Sequence, residues 1–141
     1  MALRKNGVRL GVGMHDVFPN GCHLVPGSIT EAIDYDEATG RRSPAVDKHT
    51  GKPVFQCRVS DMDPELEGRQ RETVVKILAD RMPGPPTGAA FELVEFEGLL
   101  VTPYVDTGRC LGRGRCNARM AFSLRATGLK AARPAPKQDA A

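Results

Sequence analysis

The chain has 141 residues, of which 40% are hydrophobic and 26% charged, and its formal net charge is +3. A chain of this length buries roughly 68–70% of its unfolded surface, so it folds as one domain with no need of a metal or disulfide, and its composition excludes a disordered polymer. No apolar run reaches the length of a membrane span, and the basic start Met1–Arg9 lacks the hydrophobic stretch of a signal peptide; a cytoplasmic protein with no membrane partner is expected.

Residues 1–15, with Gly7, Gly11 and Gly13, read as a flexible leader. The Gly11-Val-Gly13 triplet has neither the preceding strand nor the following helix that a dinucleotide loop needs. Phe18-Pro-Asn-Gly21 is a turn, followed by a short strand at Cys22–Val25. Ile29–Tyr35 continues as a strand with Ile29, Glu31, Ile33 and Tyr35 on one face. Residues 36–52 are polar and turn-rich, a long loop or an excursion hairpin.

Val54–Asp61 alternates as a half-buried strand, with Phe55, Cys57 and Val59 on the apolar face. Met62-Asp-Pro-Glu65 ends it. Glu72–Ala79, rich in Thr, Val and Ile, pairs with it across a loop at 62–71. Met82-Pro-Gly-Pro-Pro-Thr-Gly88 is a stiff connector, and Phe91–Glu97 a short strand or turn. Leu99–Val105 and Arg119–Thr127 are the last strands. In the second, Met120, Phe122, Leu124 and Ala126 face one way, and Arg119, Ser123 and Arg125 the other.

Five or six short strands, few helices and many Gly or Pro turns predict a mainly β protein: a small antiparallel barrel, OB-like, or a β-sandwich with long loops. The folded domain spans residues 16–130 and a flexible basic tail spans 131–141. Phe55, Val59, Val75, Ile77, Phe122 and Leu124 are expected to share the core.

Charge is distributed unevenly. Gly108 to Gln138 holds eight basic residues and no acid, whereas the rest of the chain holds 12 basic against 17 acidic. Such segregation points to a polyanionic partner, set against a solvated basic tail as the plainer alternative. Arg109, Arg113 and Arg115 lie in a glycine-rich loop whose backbone can approach phosphates closely, and Arg119 and Arg125 project from the strand after it. Tyr104 is the best aromatic for stacking on a base, or else a core tyrosine with a satisfied hydroxyl. Seven aromatics are few for a pure single-strand binder, and no helix-turn-helix pattern is present.

Other chemistry has little support. Cys110 and Cys116 have five residues between them, and Cys22-His23 is distant, so no tetrahedral zinc set is expected. A Cys110–Cys116 disulfide does not suit a reducing compartment. Cys57 reads as a small core residue. His15, His23 and His49 sit in no triad-like context, and no phosphate loop or zincin helix occurs. Neither an enzyme nor a cofactor is expected.

Seven phrases follow one another along the chain: Val17-Phe-Pro-Asn-Gly21, Asp47-Lys-His-Thr-Gly-Lys-Pro-Val54, Val59-Ser-Asp-Met-Asp-Pro64, Thr73-Val-Val-Lys-Ile77, Val94-Glu-Phe-Glu-Gly-Leu99, Val101-Thr-Pro-Tyr-Val105 and Phe122-Ser-Leu-Arg-Ala-Thr-Gly128. Together, and in this order, they resemble the plasmid replication, integration and excision activator family of actinomycete integrative elements. The resemblance spans residues 17–128 and brings no set of site residues. It implies an accessory regulator of a mobile element, with DNA and replication or recombination proteins as partners. The alternatives are a single-stranded DNA-binding replication factor and a protein-interaction module that does not touch DNA.

Overall fold

Alternating strands with Gly or Pro between them set the order of elements in the computed structural model, which describes residues 8–106 and 118–132. β1 (Leu10–Gly11) and the one-turn helix α1 (Met14–Val17) precede β2 (Cys22–Leu24), β3 (Thr30–Glu31), β4 (Ile33–Tyr35) and β5 (Arg42–Pro44). β6 (Val54–Asp61) leads through a 3-10 turn at Gly68–Arg71 into β7 (Glu72–Leu78). β8 (Leu93–Glu97), β9 (Leu100–Asp106), β10 (Arg119–Ala126) and β11 (Gly128–Ala131) follow. No helix among the described residues is long and apolar enough to cross a membrane.

The fold is mainly β, with one curled open sheet forming a half-barrel. Its strand order is β1-β9-β10-β7-β6-β2-β8-β11, with β3 alongside β6, and β4 and β5 make a separate hairpin. Strand segments outnumber the expected five or six because Ala32 divides the Ile29–Tyr35 stretch and two long strands are kinked. Ala32 donates to Val54 O and accepts from Ala45 N, which turns the chain out into the β4–β5 excursion.

The kinked strands form one long ribbon. Asp106 pairs with Arg119, Leu100 with Arg125, Glu97 with Gly128 and Val94 with Ala131, so the register does not slip from one end to the other. The ribbon bends at Gly98 and Thr127. On one side of the bend β10 lies parallel to β7; on the other β8 lies antiparallel to β2. The bend therefore brings the two flanks of the β7–β6–β2 sheet towards each other, and the apolar faces turn inward.

Inside sit Phe18, Cys22, Leu24, Phe55, Cys57, Val59, Val75, Ile77, Val94, Phe96, Leu99, Leu124 and Ala126. Five of the six expected core residues are here. Phe122 is not: it is 62% exposed. Its side faces the right way, but β10 pairs with β7 only from Leu124 to Ala126. Before Leu124 the ribbon leaves the sheet, so the inward face of its free end covers nothing. A smaller cluster of Ala32, Ala45, Val54 and Leu78 lies outside the sheet under the β4–β5 excursion.

The leader expected over residues 1–15 is structured in its second half. Leu10 and Gly11 pair with Val101 and Leu100, and Val12 N donates to Leu99 O. They cover part of the β9 edge, whose backbone groups would otherwise be open.

The bend fixes Gly98. Its φ is +61°, a region that L-residues rarely adopt. A methyl group there would stand 2.5 Å from Thr127 Oγ1, which is held by donating to Glu97 O at 3.2 Å. Gly98→Ala is expected to destabilise the fold by about 2 kcal/mol or more, from backbone strain and the clash together. Adding Thr127→Ala should recover the clash and leave the strain. A melting temperature for Gly98→Ala equal to that of the parent would refute this account of the bend.

Candidate functional site

The outer face of the sheet is polar because the odd-numbered residues of β7 and the even-numbered residues of β10 point inward. Their neighbours point out, and the parallel register sets Lys76 directly beside Arg125. Two like charges side by side on one face repel unless something of opposite sign joins them. Among the described residues neither makes an ion pair. Arg125 Nη1 reaches the Ser123 hydroxyl at 3.4 Å. Thr102 of β9 lies opposite Ser123 on the same face, and its hydroxyl oxygen is buried with no hydrogen-bond partner.

Lys76, Thr102 and Arg125 line a pocket of about 320 Å³ whose far wall is the 45–49 segment. That wall is built around Asp47. Arg9 donates from Nη1 to Oδ2 at 3.1 Å and from Nη2 to Oδ1 at 2.5 Å, a two-point charged pair. Thr50 donates to Oδ2 from its backbone N at 3.0 Å and its hydroxyl at 2.8 Å. Gly51 N donates to Asp47 O, and Asp47 N to Lys52 O, which closes the turn. The Asp47 side chain is 3% exposed and that of Arg9 17%.

The hydrogen bonds from Arg9 hold the Asp47 carboxyl well below the usual carboxylate range; Thr50 and the Arg9 charge add to this, and together they outweigh burial. Arg125 is also shifted downward, which in a base weakens the charged form. Burial lowers its affinity for the proton, the nearby Arg9 charge lowers it further, and Asp47 offsets only part. Four cationic side chains, Arg9, Lys48, Lys76 and Arg125, thus line the pocket against two carboxylates, Asp34 and Asp47.

The pocket opens along the ribbon into a groove of about 640 Å³, which shares Lys76, Thr102 and Arg125 with it and runs to Tyr104 and Val74. The groove exists because the ribbon parts from β7 before Leu124. Tyr104, opposite Ala121, is 49% exposed on the same face as Arg119 and Arg125. Tyr104 is therefore not a core tyrosine.

Of the residues expected at the site, the structure therefore brings Tyr104, Arg119 and Arg125 onto one face of the ribbon. Arg109, Arg113 and Arg115 lie outside the described residues, as do Cys110 and Cys116. Arg9, Lys76, Thr102 and Asp47 belong to the site but were not expected there. Lys76 carried a signal, since it falls on the outward phase of β7 beside the outward phase of β10. Arg9 carried none.

The other described groups offer different chemistry or none. Burial pushes both the Cys22 and Cys57 thiols up to about 12, Cys22 also through the nearby Asp61 and Cys57. Neither is a ready nucleophile or metal ligand at neutral pH. Among the described residues no group of three or more His, Cys, Asp or Glu side chains could hold a metal ion. On the opposite face of the ribbon's free end Val105 (60% exposed), Met120 (70%) and Phe122 form an apolar strip. No family model, curated protein or solved structure matches the chain.

Proposed function

We propose that the chain is a non-enzymatic, cytoplasmic DNA-binding protein that serves as an accessory regulator of an integrative element, acting on its replication, integration and excision. One observation carries the DNA-binding part: Arg119, Arg125 and Tyr104 share one ribbon face beside a groove in which Lys76 and Arg125 make no ion pair among the described residues. Cations without partners along an open groove are what phosphates require, and an aromatic at its end suits an unpaired base. The acid-free interval from Gly108 to Gln138 adds positive charge along the sequence, with Arg109, Arg113 and Arg115 falling between the two strands of the ribbon. The resemblance to the plasmid activator family supports the regulatory part.

Titration of labelled single-stranded and duplex DNA at several salt concentrations tests the reading. Removing one arginine that neutralises a phosphate should flatten the slope of log affinity against log salt by about 0.7–0.9. Arg119→Ala with Arg125→Ala should therefore weaken binding and flatten the slope by about twice that. Tyr104→Ala should cost about 1–3 kcal/mol on single strands and much less on duplex if the ring stacks on a base. Parent and variant curves that superimpose at every salt concentration would overturn the DNA-binding reading. The apolar strip of Val105, Met120 and Phe122 would then favour the second reading, a protein-interaction module that docks replication or recombination proteins.

A further inference from the structure

We propose that the pocket between Arg125, Lys76, Thr102 and the Asp47 turn is a specific site for a phosphate group, distinct in its requirements from the open groove beside it. It takes one phosphoryl group, with Arg125 and Lys76 supplying charge and the Thr102 hydroxyl donating a hydrogen bond.

Three features converge on one spot. The first is Lys76 beside Arg125 in register, two cations with no ion-pair partner among the described residues. Holding them together is unfavourable in the empty protein and becomes favourable when a dianion sits between them. The second is Thr102 Oγ1, buried with no partner. A buried hydroxyl left unpaired costs free energy, and a phosphate oxygen is an acceptor that would satisfy it. The third is the wall. Arg9 is already engaged by Asp47 through both nitrogens, so it adds positive potential without being a free donor that could collapse into the site. The burial of Arg125 and the Arg9 charge both act against the Arg125 cation, with Asp47 offsetting part, and an anion in the pocket compensates the first and relieves the second.

A fixed turn, three strands and a clamped ion pair form the site, so it is preorganised rather than assembled by the ligand. A pocket of about 320 Å³ also has room for part of the group that bears the phosphate. A terminal phosphate of a nucleic-acid strand and the phosphate of a free nucleotide meet this chemistry equally.

The test uses the whole chain. Inorganic phosphate is titrated against chloride at matched ionic strength, with melting temperature and calorimetry as readouts. Saturable phosphate binding at one site is expected. Thr102→Val keeps the shape and removes the donor, and should weaken that binding roughly tenfold or more. Arg125→Gln should weaken it further, whereas Arg69→Gln, an exposed arginine that does not line the pocket, should leave it unchanged. A second arm compares oligonucleotides of one sequence with a 5′-phosphate and with a 5′-hydroxyl, and a mononucleotide as competitor. A preference for the phosphorylated end identifies the strand terminus as the source; competition by the mononucleotide alone identifies the free nucleotide. No phosphate-specific effect at millimolar concentration, or equal binding by the parent and Thr102→Val, overturns the proposal. Phosphate binding without oligonucleotide binding would leave the pocket standing and remove the DNA reading; the reverse would do the opposite.

Discussion

Asp47→Asn is expected to destabilise the protein by about 2–3 kcal/mol, the upper range for losing hydrogen bonds to a charged group in a half-buried pair. Asparagine keeps the shape and can still accept from the Thr50 backbone N–H. It cannot neutralise Arg9, whose side chain is largely withdrawn from water and lies close enough to Arg125 to oppose its charge. The variant thus leaves Arg9 without its ion-pair partner and removes the charge that partly offsets it at Arg125. Acid should act on the parent in the same direction. A carboxyl held lower in the folded state than in the unfolded one contributes fully above its unfolded value of about 3.9. That contribution fades as pH falls below this value towards the folded one, because the unfolded chain then binds more protons. Denaturant unfolding at neutral pH and near pH 3 measures both effects. The gap between parent and variant should narrow on acidification, and equal midpoints at neutral pH would show that the pair contributes nothing.

Phe96→Ala is expected to cost about 3–5 kcal/mol, while Phe122→Ala should fall within about 0.5 kcal/mol of the parent. Phe96 is 4% exposed and meets Phe18 with ring centroids 6.2 Å apart and planes tilted by 36°. Its removal leaves a cavity under the ribbon bend. Phe122 projects from the free end of the ribbon, 62% exposed, and lines only the open groove. Thermal unfolding of the two variants side by side decides the matter; similar losses would mean that the free end packs against the domain in solution.

The Phe122 contrast marks how far alternation alone could be read. Period two assigns the residues of β10 to two faces, and that assignment matches burial where β10 meets β7, with Leu124 and Ala126 buried and Arg125 between them half-buried. Burial requires something more, namely a neighbouring strand or layer opposite that face. Leu124 and Phe122 have the same phase, yet only Leu124 lies where β10 meets β7. Strand pairing is a long-range property, and no local pattern encodes where two strands part.

The same limit applies to the site. Tyr104, Arg119 and Arg125 could be placed on one face by counting from a single hairpin. Lys76 comes from a strand almost fifty residues earlier, and its position beside Arg125 depends on a parallel register. Arg9 and Asp47 are 38 residues apart and meet only because β1 runs along β9 while the 36–52 excursion folds back over the sheet. Only the turn-rich character of residues 36–52 was legible; the closing of the Asp47 turn on its own carboxylate was not.

The constant-register ribbon has a consequence for synthesis. β10 is made after every strand it joins, yet it occupies an interior position between β9 and β7. Until it leaves the ribosome, the growing chain presents the open backbone of β7, and β8 and β9 have no ribbon partner. Residues 119–131 therefore act as a closing seam, and the domain cannot complete its fold during translation of the preceding strands. Such chains are prone to edge-to-edge association before closure. Refolding from denaturant should also be slow for a protein of this size, because pairs such as Leu10 with Val101 and Leu124 with Val75 must be found across long stretches of chain.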